Sequence, residues 1–152
     1  EEGLSHLPPS DGPIVRSRTL RLLTDIALRS RRYEEAVEFC EQAQAANKSI
    51  NDQTESAAIL YAQAKLDHYW GDHQSALSNA IRSAQLYTAM GDRKAMAIVN
   101  HSIGHLHLAC NDPAAARASA EYGLSLARAL EDSELIDLFD EQLATIAQAV
   151  SM

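Results

Sequence analysis

The chain has 152 residues, enough for one domain with a continuous core and too few for two ordinary ones. It carries 21 acidic against 13 basic residues, a formal net charge of −8, which argues against general nucleic-acid binding. No stretch approaches the ~18 consecutive apolar residues of a membrane span, so no membrane partner is expected.

The first thirteen residues read as a polar lead-in, with Pro8-Pro9 and Gly12-Pro13 and neither an initiator Met nor a signal-peptide pattern. This start suggests a segment of a larger protein. From Ile14 onward the only proline is Pro113, and apolar residues fall at helical spacing. Seven helices are predicted, over about 15–30, 33–49, 53–70, 73–89, 93–110, 113–129 and 133–150. On the first, Leu20, Leu23, Ile26 and Ala27 share the face expected to be buried. Leu60, Ala64 and Leu66 continue that face on the third helix, and Ile103, Gly104 and Leu106 on the fifth.

A strict period of 40 residues runs through these elements. Ala36, Ala76 and Ala116 keep it, as do Cys40, Ala80 and Ala120, and Asp52, Asp92 and Asp132. Such a period marks stacked supersecondary units, none able to bury its apolar face alone. Breaks at Arg31-Arg32, Gly71-Asp72 and Asn111-Asp112 divide each unit into two helices. Those at Asn51-Asp52, Gly91-Asp92 and Glu131-Asp132 separate units at about 17–51, 52–91 and 92–131. A last helix, 132–150, stands where a fourth unit would begin and is expected to cap the array. Asp suits the N-cap after each break, and Glu55, three residues beyond Asp52, has the spacing of a capping box. Small residues recur at helix crossings: Thr24, Ala64 and Gly104 on first helices, Ala43, Ser83 and Gly123 on second helices. The expected fold class is therefore all-α, a solenoid of three helix-turn-helix units with a C-terminal capping helix.

Chemistry is sparse. The two cysteines, 70 residues apart, lie inside apolar helical patterns and form no CxxC pair, which favours a reducing, cytoplasmic setting. His101 and His105 are one helical turn apart and could share a metal, but no HExxH pattern or carboxylate accompanies them. No nucleophile elbow or glycine-rich phosphate loop is present. The expectation is a binding module, not an enzyme, with no metal or cofactor. Charge is also divided between the ends: residues 16–32 hold six of the basic residues, and 131–141 hold six acids in eleven positions. Opposite ends of this kind suit head-to-tail stacking or a neighbouring domain.

The segments RRYEEAVEFCEQA at 31–43, GDHQSALSNAIRSA at 71–84 and NDPAAARASAEYG at 111–123 resemble the second half of tetratricopeptide repeats. The resemblance spans about 120 of the 152 residues. Tyr33 matches the aromatic that follows the turn in that family, while His73 and Pro113 depart from it. The unit is 40 residues long, against about 34 for the family, as in long repeats of bacterial signalling proteins. The resemblance implies a right-handed superhelix whose first helices line a concave groove for a peptide or a small effector. Carried over to this chain, the groove positions are Arg18, Arg21, Asp25 and Arg29 from the first unit. The second contributes Tyr61, Lys65, His68 and Tyr69, and the third His101 and His105. This lane is basic within an acidic chain, so the implied partner is a protein or peptide of acidic character. The family's clamp for a C-terminal carboxylate uses Asn where this chain has Asp25. The implied role is the regulatory part of a larger protein, a small-molecule sensor or a self-associating spacer being the alternatives.

Overall fold

The computed structural model describes residues 12–151. Among them the chain forms seven α-helices and no strand: α1 (Gly12–Arg29), α2 (Tyr33–Ile50), α3 (Gln53–Tyr69), α4 (His73–Met90), α5 (Arg93–Ala109), α6 (Pro113–Ala129) and α7 (Ser133–Ser151). Most of the expected lead-in, and Met152, lie outside the described residues. Gly12 and Pro13, expected in that lead-in, instead form the first turn of α1, where proline's missing N–H costs little. Helices pair consecutively, α1 with α2, α3 with α4 and α5 with α6, and α7 packs on α6 and α5. The architecture is a tetratricopeptide-like all-α solenoid.

The turns explain the beat, which at the backbone is 20 residues. Arg31, Asn51, Gly71, Gly91, Asn111 and Glu131 all adopt left-handed φ, between 50° and 84°. This conformation closes a helix C-terminus. Five of the six residues that follow are aspartates. Each Oδ1 of Asp52, Asp72, Asp92, Asp112 and Asp132 accepts a backbone N–H three residues ahead, at 2.9–3.1 Å. Such a cap is worth ~1 kcal/mol, so the five together set where helices begin. The exception, Arg32, has no side-chain cap.

The expected capping box at α3 is half made. Glu55 N donates to Asp52, but the Asp52 N–H is taken by Asn47 Oδ1 at 3.2 Å, which leaves the Glu55 carboxylate free to turn elsewhere. Asn47 also donates through Nδ2 to Asp52 O and Ser56 Oγ, so one buried amide closes the junction between the first two units.

Small residues set the spacing within units. Ala36, Ala76 and Ala116 are each fully buried, with Cys40, Ala80 and Ala120 one turn on. Burial pushes the Cys40 thiol up to about 12, so it stays protonated and packs as a small apolar group. The two glycines of the third unit answer to α7. A Cβ at 123 would collide with the Phe139 ring, and one at 104 would sit 2.6 Å from Gln142 Nε2. Phe139 is fully buried against the 123 position, and Gln142 Nε2 donates to His101 O at 2.6 Å. The capping helix is thus keyed into α5 and α6 through positions that hold Thr24, Ala64, Ala43 and Ser83 in earlier units.

One core assignment is corrected. Ile26, placed on the buried face with Leu20 and Ala27, is 55% exposed, whereas its counterparts Leu66 and Leu106 are each 3% exposed. Those counterparts are covered by the second helix of the preceding unit, and no described helix precedes α1.

Candidate functional site: a groove along the first helices

A groove of about 1040 Å³ opens along α1 and α3 and reaches α5 through Ile98 and α4 through Tyr87. Seven of the residues expected from α1 and α3 line it directly: Arg21, Asp25, Arg29, Tyr61, Lys65, His68 and Tyr69. A notch of about 150 Å³ continues from it between α3 and α5, where Tyr61, Lys65 and His68 face Ser102 and His105. Tyr61 and Ser102 hydroxyls meet at 2.8 Å and tie the two helices together at that level.

Two expected residues stand off the lining. Arg18, on α1, has a side chain 58% exposed that approaches Glu55 Oε1 at 3.6 Å. His101 is directed toward the capping helix, its ring edge-on to Phe139 with centroids 5.4 Å apart. Its other neighbour is His105, 4.6 Å away. Desolvation, then the positive charge of the neighbouring imidazole (His105 for His101, His68 for His105), lowers both histidine pKa values. His107, on another face, lines a shallow recess with Ile103 and Tyr122. Among the described residues no three His, Cys, Asp or Glu side chains gather as a metal site.

The basic lane is less positive than the sequence implies, because of Glu55. This carboxylate is 2% exposed, released from its capping role, and Arg21 Nε donates to it at 2.8 Å. Arg21 Nη1 also lies 3.6 Å from Asp25, so one guanidinium bridges a buried and a groove-facing acid. Burial works against the Arg21 charge, but the hydrogen bond and attraction to Glu55, with Asp25 and Tyr87, raise its pKa overall. Arg21 therefore holds α1 to α3. Of the Arg and Lys side chains that line the groove, Arg29 and Lys65, on facing helices, have no ion-pair partner among the described residues. Desolvation lowers the Lys65 pKa; Asp25 offsets this and Arg29 adds to it. The Lys65 ammonium sits 4.5 Å above the centre of the Tyr61 ring, a cation–π contact that fixes its direction.

An aromatic wall closes the end of the groove nearest the α1–α2 turn. Tyr33 stacks on Tyr69 with centroids 3.5 Å apart and planes 14° from parallel, and Trp70 packs on Tyr69 at 4.3 Å. Tyr69 and Trp70 are each about half exposed. Tyr33 comes from α2 and Tyr87 from α4, second helices that a lane drawn only from first helices leaves out. For Tyr33 the available signal was its place after the turn; for Tyr87, Ala58 and Ile98 no local pattern distinguishes groove from core.

Comparison with known proteins fits this picture of the fold. No protein-family model matches the chain, and no curated protein matches it. Among solved structures, it is similar to a Signal Transduction ATPase with Numerous Domains (STAND) protein with a tetratricopeptide repeat sensor from Pyrococcus horikoshii. The TM-score is 0.84 at 17% identity, over 97% of this chain. This chain spans 23% of that protein's length. The likeness is one of fold: paired helices in a tetratricopeptide-like solenoid.

Proposed function

We propose that this chain is a non-catalytic recognition module, the regulatory part of a larger signalling protein, which binds an acidic protein segment along its groove. The observation that carries the reading is the pairing of two uncommitted cations, Arg29 and Lys65, with the stacked Tyr33–Tyr69 wall. Arg29 offers a planar fork to a carboxylate, and Lys65 a second charge across the groove. The tyrosines supply rigid amphipathic area at low entropic cost. The ligand chemistry that fits is an extended segment with paired acids next to an apolar or aromatic side chain. The similarity to a protein whose tetratricopeptide repeats form its sensor supports the regulatory setting.

The test is fluorescence anisotropy of labelled acidic peptides, with and without an aromatic residue, against the wild type and an Arg29→Glu/Lys65→Glu variant. Arg21 is left intact because its reversal would expose the buried Glu55 charge. Binding that weakens at least tenfold in the variant, and weakens with salt, supports the groove. Equal binding by both proteins refutes it. A small-molecule sensor is the second reading, favoured by the notch at Ser102 and His105, whose 150 Å³ suits a compact acid better than a peptide backbone.

A further inference from the structure

Four of the chain's six histidines form one file across three helices, and the file runs past the notch between α3 and α5. His73, at the start of α4, meets His68 of α3 with Nδ1 atoms 3.1 Å apart. His68 and His105 of α5 both line the notch, and His101 stands one turn before His105 with ring centroids 4.6 Å apart. A hydrogen bond between two Nδ1 atoms needs one bare nitrogen, so the His68–His73 pair is not doubly charged in this arrangement. Desolvation, then the charge of His68, holds the His105 pKa below its ordinary value.

The notch has the chemistry of a seat for an anion on a short arm. Buried Ala64 and Leu106 give it apolar surface, while Lys65, His68 and His105 stand exposed around it. Among the described residues no acid lines it, in a chain where acids outnumber bases 21 to 13. The acids closest to hand are engaged elsewhere. Asp67, next to His68 in sequence, accepts from Gln63 and Asn79 at 2.8 Å each, and Asp25 of α1 lies in the main groove 3.6 Å from Arg21. Also facing the file across the groove are Arg29 of α1, Tyr33 of α2 and Tyr87 of α4. On the far side α7 brings the uncharged Phe139 and Gln142 to His101, and α6 brings no titratable side chain to either lining. Tyr61 and Ser102 share one hydrogen bond, which leaves one of their two hydroxyl protons to donate to a ligand. The volume of about 150 Å³ holds a carboxylate and its methylenes but no peptide backbone.

We propose that the notch is the subsite for one glutamate or aspartate side chain of a segment bound in the groove, and that the histidine file takes up one proton as the carboxylate enters. This rests on the reading that the groove takes an acidic segment, and adds where one of its acids goes. The carboxylate arrives ionised, solvent supplies the proton, and the file ends with one more N–H to donate to the carboxylate oxygens. Since the file gains its charge with the ligand in place, binding strengthens as pH falls from 8 towards 6, where histidine titrates. The ligand carboxylates, which titrate near pH ~4, stay ionised throughout and contribute nothing to that change.

The test uses the full chain and a labelled Glu-Glu-Tyr-Glu-Glu peptide, with Gln-Gln-Tyr-Gln-Gln as the uncharged control, at constant ionic strength. Anisotropy should show the acidic peptide binding at least about fivefold tighter at pH 6 than at pH 8. Calorimetry at pH 7 should be less exothermic in Tris than in phosphate, because the proton that the protein takes comes from the buffer. His68→Gln/His105→Gln, whose two side chains are exposed, should match the wild type at pH 8 and lose both the pH dependence and the buffer dependence. His107→Gln, on another face, should keep both. A wild type that binds equally at pH 6 and pH 8, with the same heat in both buffers, overturns the proposal, as does a double variant that keeps the pH dependence. If in that case Arg29→Glu/Lys65→Glu still abolishes binding, the groove reading stands and only the proton-coupled subsite falls. A peptide that binds at no pH, or binds that charge-reversed variant equally well, overturns both.

Discussion

Adding one methyl group at Gly123 should loosen the capping helix, and the structure allows the size of the effect to be worked out. Glycine inside a helix costs ~1 kcal/mol relative to alanine, so propensity alone predicts that Gly123→Ala stabilises the chain. Against this, the new Cβ would lie 3.0 Å from Phe139 Cε2 and closer still to Cζ and Cε1. Phe139, on α7, is fully buried, its ring against the 123 position of α6 and edge-on to His101 of α5. Overpacking of this kind costs roughly 1–3 kcal/mol. The clash should outweigh the propensity gain, giving a net loss of up to about 2 kcal/mol. For a chain of this length, that is a fall in Tm of up to several degrees, about 2–4 °C per kcal/mol. Urea denaturation of the wild type, Gly123→Ala, Phe139→Leu and the double variant provides the assay. The double variant should recover part of the loss, because the smaller side chain vacates the space that the methyl needs. A Gly123→Ala protein more stable than the wild type would refute the reasoning, since helix propensity would then be the only term at work.

Three further outcomes follow from the same geometry. Arg21→Gln leaves the buried Glu55 carboxylate without its guanidinium, and removal of one partner of such a pair costs about 3 kcal/mol or more; urea denaturation should show that loss, while Arg29→Gln should change stability little. Glu131→Gly should stabilise by about 0.5–1 kcal/mol in a thermal melt, because a left-handed φ of 55° strains any side chain and suits glycine. His101 and His105 both have lowered pKa values in the folded chain, so the unfolded chain binds protons more readily. Their contribution to stability is complete above the unfolded value of about 6.5 and is lost as pH falls from there through the folded values. A His101→Gln/His105→Gln variant should therefore lose less stability than the wild type between neutral and mildly acidic pH.

The fold was legible because repetition multiplies weak signals. A single aspartate before an apolar run says little, but five at 20-residue intervals place every helix start from α3 to α7. Long-range pairing was harder to read. Glu55 has the spacing of a capping residue, and only the depth of the α1–α3 contact shows that it is a buried counter-ion for Arg21. Gly104 and Gly123 read as generic small residues at crossings within a unit. What demands them is Gln142 and Phe139, on a helix that the period does not pair with either. In the groove, residues on first helices follow from the repeat register, whereas Tyr33 and Tyr87 come from second helices at curvature-dependent positions. Ile26 failed as a core residue for a related reason: a repeat position is buried only if something stacks on it, and a periodic pattern does not mark where coverage stops.

The claim at the centre of this account is that recognition runs along the groove between Arg29, Lys65 and the Tyr33–Tyr69 wall. Heteronuclear NMR of the chain, titrated with an acidic, aromatic-containing peptide, tests it residue by residue. Shifts concentrated at Arg29, Tyr33, Tyr61, Lys65 and Tyr69, and absent from α7, are the predicted result. Saturable binding whose shifts fall elsewhere, with those residues unmoved, would contradict it.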